Sequence, residues 1–239
     1  MVKACVFDVG NTLINDTRLV QDTLKDLTNW LRRKGIIKQK QPFITAYNAI
    51  NRLDSRPFIS HTFSEKELFQ RTFEELRIKD VSSKQVLQEY RQFLVNRIKP
   101  DNDIIETFEF LRKKGIKVAL LTNETAHRVE VFIRKTKLAN LLDAVVISEQ
   151  VRIEKPNPAI FSEISKALEV KCEETIMFGD NEIADGAAKQ LGMKFVLVTA
   201  YKNPGWQWES GSTIKPDCVI REVKKEEIEK CLETLANGL

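Results

Sequence analysis

Beyond residue 100 the chain keeps returning to one pattern. A short apolar run stops at a polar residue and is followed by a segment of helical periodicity. The runs are 117–121, 144–147, 175–178 and 194–199, with a shorter one at 217–220. An equivalent run, Ala4-Cys5-Val6-Phe7, opens the chain and stops at Asp8. Apolar runs of this length are buried strands, since helices need ten or more residues. Strands alternating with helices form a parallel sheet covered on both faces. The expected fold class is α/β, with a Rossmann-like parallel sheet core. Ligands of such sheets bind beyond the carboxyl ends of the strands. The polar residues just past the runs, Asp8, Thr122-Asn123, Ser148 and Asp180, are therefore expected to meet at one edge.

The pattern is interrupted between the first run and Pro100. Val20, Leu24, Leu27 and Leu31 form one stripe of an amphipathic helix, and Gly35 is placed to stop it. Ser64 with Glu67, flanked by Phe63 and Leu68, has the spacing of a capping box with a hydrophobic staple. Ser82 with Gln85, between Val81 and Val86, repeats that arrangement. The reading is a core of residues 1–15 and 100–239, with an inserted α-helical unit, residues 16–99. Within the core, helices are expected from about Ile104 to Lys114, near 125–135, 158–168 and 182–191, and at the C-terminus.

Composition excludes several classes of function. Hydrophobic residues make up 42% and charged residues 30% of the 239 positions, a globular balance that can bury a core without disulfides or a structural metal. The net charge of +4 comes from interleaved basic and acidic residues, whereas nucleic-acid binders concentrate charge on one face. Cys5, Cys172, Cys218 and Cys231 lie at no metal-ligand spacing and suit a reducing compartment. No stretch approaches a membrane span, and MVKACVFD lacks the apolar core of a signal peptide. A cytoplasmic location with no nucleic-acid or membrane partner is expected; the oligomeric state stays open.

Asp8 and Asp180 carry the chemistry. Two strand-end carboxylates suit a hard divalent cation such as Mg²⁺, which prefers oxygen ligands and few protein groups. Asp185, five residues on, completes an acidic cluster directly or through water. Thr122 and Asn123, just before a helix, suit a phosphate through hydroxyl, amide and helix N-terminus. Lys155, in a loop before the helix that starts at Pro158, suits a phosphate as a point charge. Taken singly, each acid reads better as a helix cap; both strand-end acids together, beside Lys155, favour a site.

Four segments in order resemble the haloacid dehalogenase superfamily: Phe7-Asp8-Val9-Gly10-Asn11-Thr12-Leu13, Leu121-Thr122-Asn123, Lys155-Pro156-Asn157-Pro158-Ala159-Ile160-Phe161, and Gly179-Asp180 with Asp185. The resemblance implies that Asp8 is a nucleophile forming an aspartyl intermediate. It implies Mg²⁺ held by Asp8, the Gly10 carbonyl, Asp180 and Asp185, and phosphoryl oxygens held by Thr122, Asn123 and Lys155. The inserted helices then match a cap domain, which usually selects the substrate, with Arg52, Arg56, Arg71 and Arg91 as candidates to face it.

The chain also departs from the pattern. Phosphatases of this superfamily usually carry a second Asp two residues after the nucleophile, as general acid and then base; here that position is Gly10. Asp16 or a polar cap residue is a candidate substitute. Dehalogenases also lack that Asp and use no metal, but usually have a small polar residue at the position of Asp180, whose charge would repel a carboxylate substrate. Arg152 stands where relatives often have Gly, and the spacing after Asp185 leaves Glu182 as an alternative to it. Three readings follow: a Mg²⁺-dependent phosphatase of a small phosphomonoester, a metal-independent 2-haloacid dehalogenase, or a non-catalytic phosphate-ligand binding protein. The two histidines, His61 and His127, and the Trp206 and Trp208 pair are expected in surface, capping or packing roles.

Overall fold

The computed structural model describes residues 1–54, 65–79, 81–202 and 214–237. Phe63, Ser64, Arg56, His61, Trp206, Trp208 and the side chain of Arg52 lie outside the described residues, so the readings placed on them have no structural counterpart. The chain divides into two compact units, Met1–Thr17 with Pro100–Leu239, and Arg18–Lys99.

The first unit is built on β1 (Ala4–Phe7), β2 (Lys117–Thr122), β3 (Ala144–Ile147), β4 (Thr175–Gly179), β5 (Lys194–Val198) and β6 (Cys218–Ile220). They form one sheet in the order β3-β2-β1-β4-β5-β6, and every neighbouring pair is parallel. The helices are α1 (Asp16–Arg33), α2 (Lys40–Asp54), α3 (Glu65–Glu75), α4 (Ser83–Arg97), α5 (Asn102–Lys113), α6 (Ala126–Thr136), α7 (Ser148–Val151), α8 (Pro158–Leu168) and α9 (Lys225–Asn237).

Period-two alternation explains why β1 is apolar throughout. Ala4 and Val6 face one side, in a core with Ile160, Phe161 and Ile164 of α8. Phe7 faces the other, where its ring stacks on Phe178 at 4.7 Å and meets Phe108 of α5 at 4.9 Å. A strand covered on both faces has no polar side to spare.

Local signals fix several boundaries. Asp101 caps α5 by accepting from Asp103 N at 2.9 Å, and Asn157 caps α8 with Pro158 in the first turn. The helix expected over 182–191 is instead a turn followed by a 3₁₀ helix, Gly186–Leu191. In that turn the Asn181 side-chain oxygen accepts from Ile183 N and Ala184 N, and its carbonyl from Asp185 N and Gly186 N. Gly186 also lets the backbone approach Ile214 so closely that a Cβ would sit 2.7 Å from its side chain.

In the second unit α3 packs with both α2 and α4. Its core includes Leu24, Leu27, Leu31, Phe43, Tyr47, Phe69, Phe73 and Tyr90, all buried, with Phe69 in ring contact with Tyr47 and Tyr90. Ser82 accepts from Gln85 N at the start of α4, and Gly35 takes φ +73° after α1. Arg71 and Arg91 pair with Glu67 and Glu65 at 3.0 and 2.8 Å. Among the described residues, no helix is long and apolar enough to cross a membrane.

Candidate active site

The strand order reverses direction between β1 and β4, the position where an open parallel sheet opens a crevice at its carboxyl edge. Phe7 pairs with Phe178 across that point, so Asp8 lies one residue past the last pair and Asp180 two. Asp8 N still donates to Phe178 O at 2.9 Å, which fixes the Asp8 backbone to β4.

Lys155 reaches this edge from the loop before α8. It is buried, and its ammonium donates to Asp8 Oδ1 at 2.7 Å, Asp185 Oδ1 at 2.5 Å and the Leu121 carbonyl at 3.1 Å. All three N–H bonds are thereby used. The Lys155 backbone is clamped as well. Asn123 Nδ2 donates to Lys155 O at 2.8 Å, and Lys155 N donates to Asn123 Oδ1 at 2.8 Å. The Lys155–Pro156 peptide is cis.

Asp185 is drawn in by the turn after β4. Asn181 N donates to its Oδ2 at 3.1 Å. Gly179 makes room: a Cβ there would lie 2.1 Å from Asp185 Oδ2. Carboxylate oxygens of Asp8, Asp180 and Asp185 lie within 4.8 Å of one another. Thr12 Oγ1 donates to Asp8 Oδ2 at 3.3 Å, on the side away from Lys155.

Charge is unbalanced here, with three carboxylates against one ammonium. Burial, then repulsion by Asp185 and Asp8, pushes the Asp180 carboxyl up to about 8. Burial pushes Asp185 up as well; Lys155 opposes the shift and Asp8 adds to it. Burial works against the Lys155 ammonium, but Asp185 and Asp8 outweigh it and hold it above the ordinary lysine range. A hard divalent cation fits this donor set. It would neutralise the excess charge, and carboxylate oxygens of Asp8, Asp180 and Asp185 are the available ligands. Both oxygens of Asp8 and both of Asp185 already accept a hydrogen bond, and Asp185 can contribute directly or through water.

Residues 2–192 match the haloacid dehalogenase-like hydrolase family. The chain belongs to that family. It is 27% identical over 202 residues to a protein named glyceraldehyde 3-phosphate phosphatase from Methanopyrus kandleri, covering 83% of this chain and 84% of the relative. It is 26% identical over 202 residues to pyrophosphatase PpaX of Bacillus mycoides, covering 83% of this chain and 84% of that one. The fold is shared with a phosphatase of the family from Thermococcus onnurineus, at TM-score 0.67 and 24% identity over 97% of this chain and 98% of the other. A 2-haloacid dehalogenase from Pseudomonas syringae pv. tomato also shares it, at TM-score 0.69 and 19% identity over the whole of both chains.

In this hydrolase the structure brings together Asp8, Lys155, Asp180 and Asp185. Glu182 points elsewhere, pairing with Lys202 at 2.5 Å. Thr122 is buried as the last residue of β2, and the helix expected near 125–135 runs from Ala126 to Thr136. Its N-terminus is engaged by Glu149, which accepts from Ala126 N at 2.7 Å. His127 sits half-buried in its first turn. Sequence reading missed the Asn123 clamp on Lys155, the room provided by Gly179 and the support of Thr12. Only Gly179 left a trace, as a glycine beside a candidate ligand. Asp16 lies near Gly10, tied to Arg128, which also binds Glu124 at 3.0 Å.

Proposed function

We propose that this protein is a Mg²⁺-dependent phosphatase that hydrolyses a small phosphate ester through an aspartyl-phosphate at Asp8. The observation that carries the reading is the position of Lys155, bonded to Asp8 and Asp185 at 2.7 and 2.5 Å with Asp180 beside them. Asp8 has a cationic neighbour in Lys155, which suits attack on phosphorus while Lys155 offsets charge on the transferring group. Thr122 and the Asn123 backbone hold phosphoryl oxygens, and the Asn123 side chain keeps Lys155 in place. Asp8, Asp180 and the Gly10 carbonyl hold the metal, with Asp185 supporting it directly or through water. Bound Mg²⁺ supplies neutralisation of the carboxylates and of the phosphoryl charge. The names of the curated relatives, a phosphatase and a pyrophosphatase, favour this chemistry.

The test is release of p-nitrophenol from p-nitrophenyl phosphate. Activity should require Mg²⁺ and vanish in Asp8→Asn; activity that survives both EDTA and that substitution overturns the reading. The second reading, 2-haloacid dehalogenation, draws on Gly10 and on the shared fold. It predicts halide release from 2-chloropropionate in EDTA. Asp180 weighs against it, because a third carboxyl within 4.8 Å of those of Asp8 and Asp185 suits a cation that this reaction does not use.

A further inference from the structure

Gly10 is not demanded by the backbone. Its φ lies outside the left-handed region, and a Cβ there would make ordinary contacts, 3.7 Å to Asp16 Cβ and 3.9 Å to Asp16 Cγ. A Cβ fits, so its absence is a chemical feature of the site and not a steric necessity.

The carboxylate nearest that space is a poor replacement for a proton donor. The chain folds back after β1: Asn11 takes φ +53°, and its side-chain oxygen accepts from Thr17 N and Thr17 Oγ1 at 3.1 Å each. This return delivers Asp16 beside Gly10, where Arg128 pairs with it. That pairing commits an Asp16 oxygen to the Arg128 guanidinium. The two side chains that hydrogen-bond to Asp8 are committed too. Lys155 spends its three N–H bonds on Asp8, Asp185 and Leu121 O. Thr12 donates to Asp8.

From this we infer that the enzyme is selective for phosphoryl donors whose leaving group departs as a stable anion: acyl phosphates, phosphoanhydrides and esters of acidic phenols, in preference to alkyl phosphates. The inference rests on the aspartyl-phosphate reading. An Asp8 oxygen bonds to phosphorus as the bond to the leaving oxygen breaks, and that oxygen keeps the electron pair and departs unprotonated. Water then bonds to phosphorus, the Asp8–phosphorus bond breaks, and the carboxylate is restored. Both water protons leave with the product as dihydrogen phosphate. General acid catalysis is worth about 10²–10⁴-fold, and its absence falls most heavily on strongly basic leaving groups.

The experiment measures kcat/KM with Mg²⁺ for aryl phosphates of graded phenol acidity, and for acetyl phosphate, pyrophosphate and glycerol phosphate. A steep fall with leaving-group basicity is expected, with acetyl phosphate at least about 10²-fold above glycerol phosphate. Gly10→Asp should raise the ratio of glycerol phosphate to acetyl phosphate turnover by about 10²-fold. Wild-type rates on acetyl and glycerol phosphate within about tenfold of each other would show that a proton donor acts elsewhere, and would overturn the inference. Turnover of the activated donors that persists in Asp8→Asn would instead overturn the aspartyl-phosphate reading, so the two failures are distinct.

Discussion

Asp180→Asn should make the metal-free protein more stable while removing its response to Mg²⁺. The oxygens of Asp8, Asp180 and Asp185 lie within 4.8 Å of one another. At that separation and an effective dielectric of about 20, each like-charge pair costs about 3 kcal/mol. Asp180 has two such neighbours, and the Lys155 ammonium offsets roughly one of them, leaving about 3 kcal/mol of net repulsion. The pH dependence follows from the raised carboxyl, at about 8 against an ordinary value of 3.8. Between those values the folded protein holds a proton that the unfolded chain has lost. Wild-type stability contributed by this group is thus complete below about 3.8 and is lost as pH rises through about 8. Asparagine cannot ionise, so the variant lacks that loss. Thermal unfolding in EDTA should show a small difference near pH 4 and a gain of about 6–12 °C for the variant above about pH 8. Millimolar Mg²⁺ should raise the wild-type midpoint most at the alkaline end and leave the variant unmoved. A variant that unfolds earlier than wild type at alkaline pH in EDTA, or gains equally at both pH values, refutes the electrostatic argument.

Three further outcomes are expected. Lys155→Met removes the cation between Asp8 and Asp185, and chemical denaturation near neutral pH should report a loss of about 3–5 kcal/mol with activity abolished. Gly179→Ala drives a methyl into Asp185, whose Oδ2 lies 2.1 Å from the new atom; calorimetry should show weakened Mg²⁺ binding and assays a loss of turnover while circular dichroism retains the α/β signal. Arg152 holds φ +56° at the end of α7. Arg152→Gly should therefore stabilise the protein by about 1 kcal/mol in urea denaturation, with little effect on KM.

The two fold patterns were written in the sequence with different clarity. Strands 4–7 and 144–147 were readable to the residue, because each is an apolar run with polar residues at both ends. The segment after Asp180 was misread as an α-helix. Its residues have adequate helical periodicity, yet Asp185 is bonded to Lys155 and Gly186 brings the backbone against Ile214. Those contacts join positions that local periodicity does not connect. Choice between Asp185 and Glu182 was equally beyond spacing arguments, since both are acids in the same turn. The structure separates them through the partners Lys155 and Lys202.

What the sequence determined by itself was the inventory: a parallel sheet, carboxylates at the ends of β1 and β4, a lysine before α8, and a missing acid at Gly10. These are local facts of pattern and residue type. The tertiary structure decided the chemistry of that inventory. It set Asp8 and Asp180 at adjacent strand ends although 172 positions separate them in the chain, locked Lys155 through an asparagine that sequence reading assigned to phosphate, and tied Asp16 to Arg128 beside the empty side-chain position. Carboxylate charge and proton affinity depend on distances of a few ångströms between residues remote in sequence, and only the folded chain sets those distances.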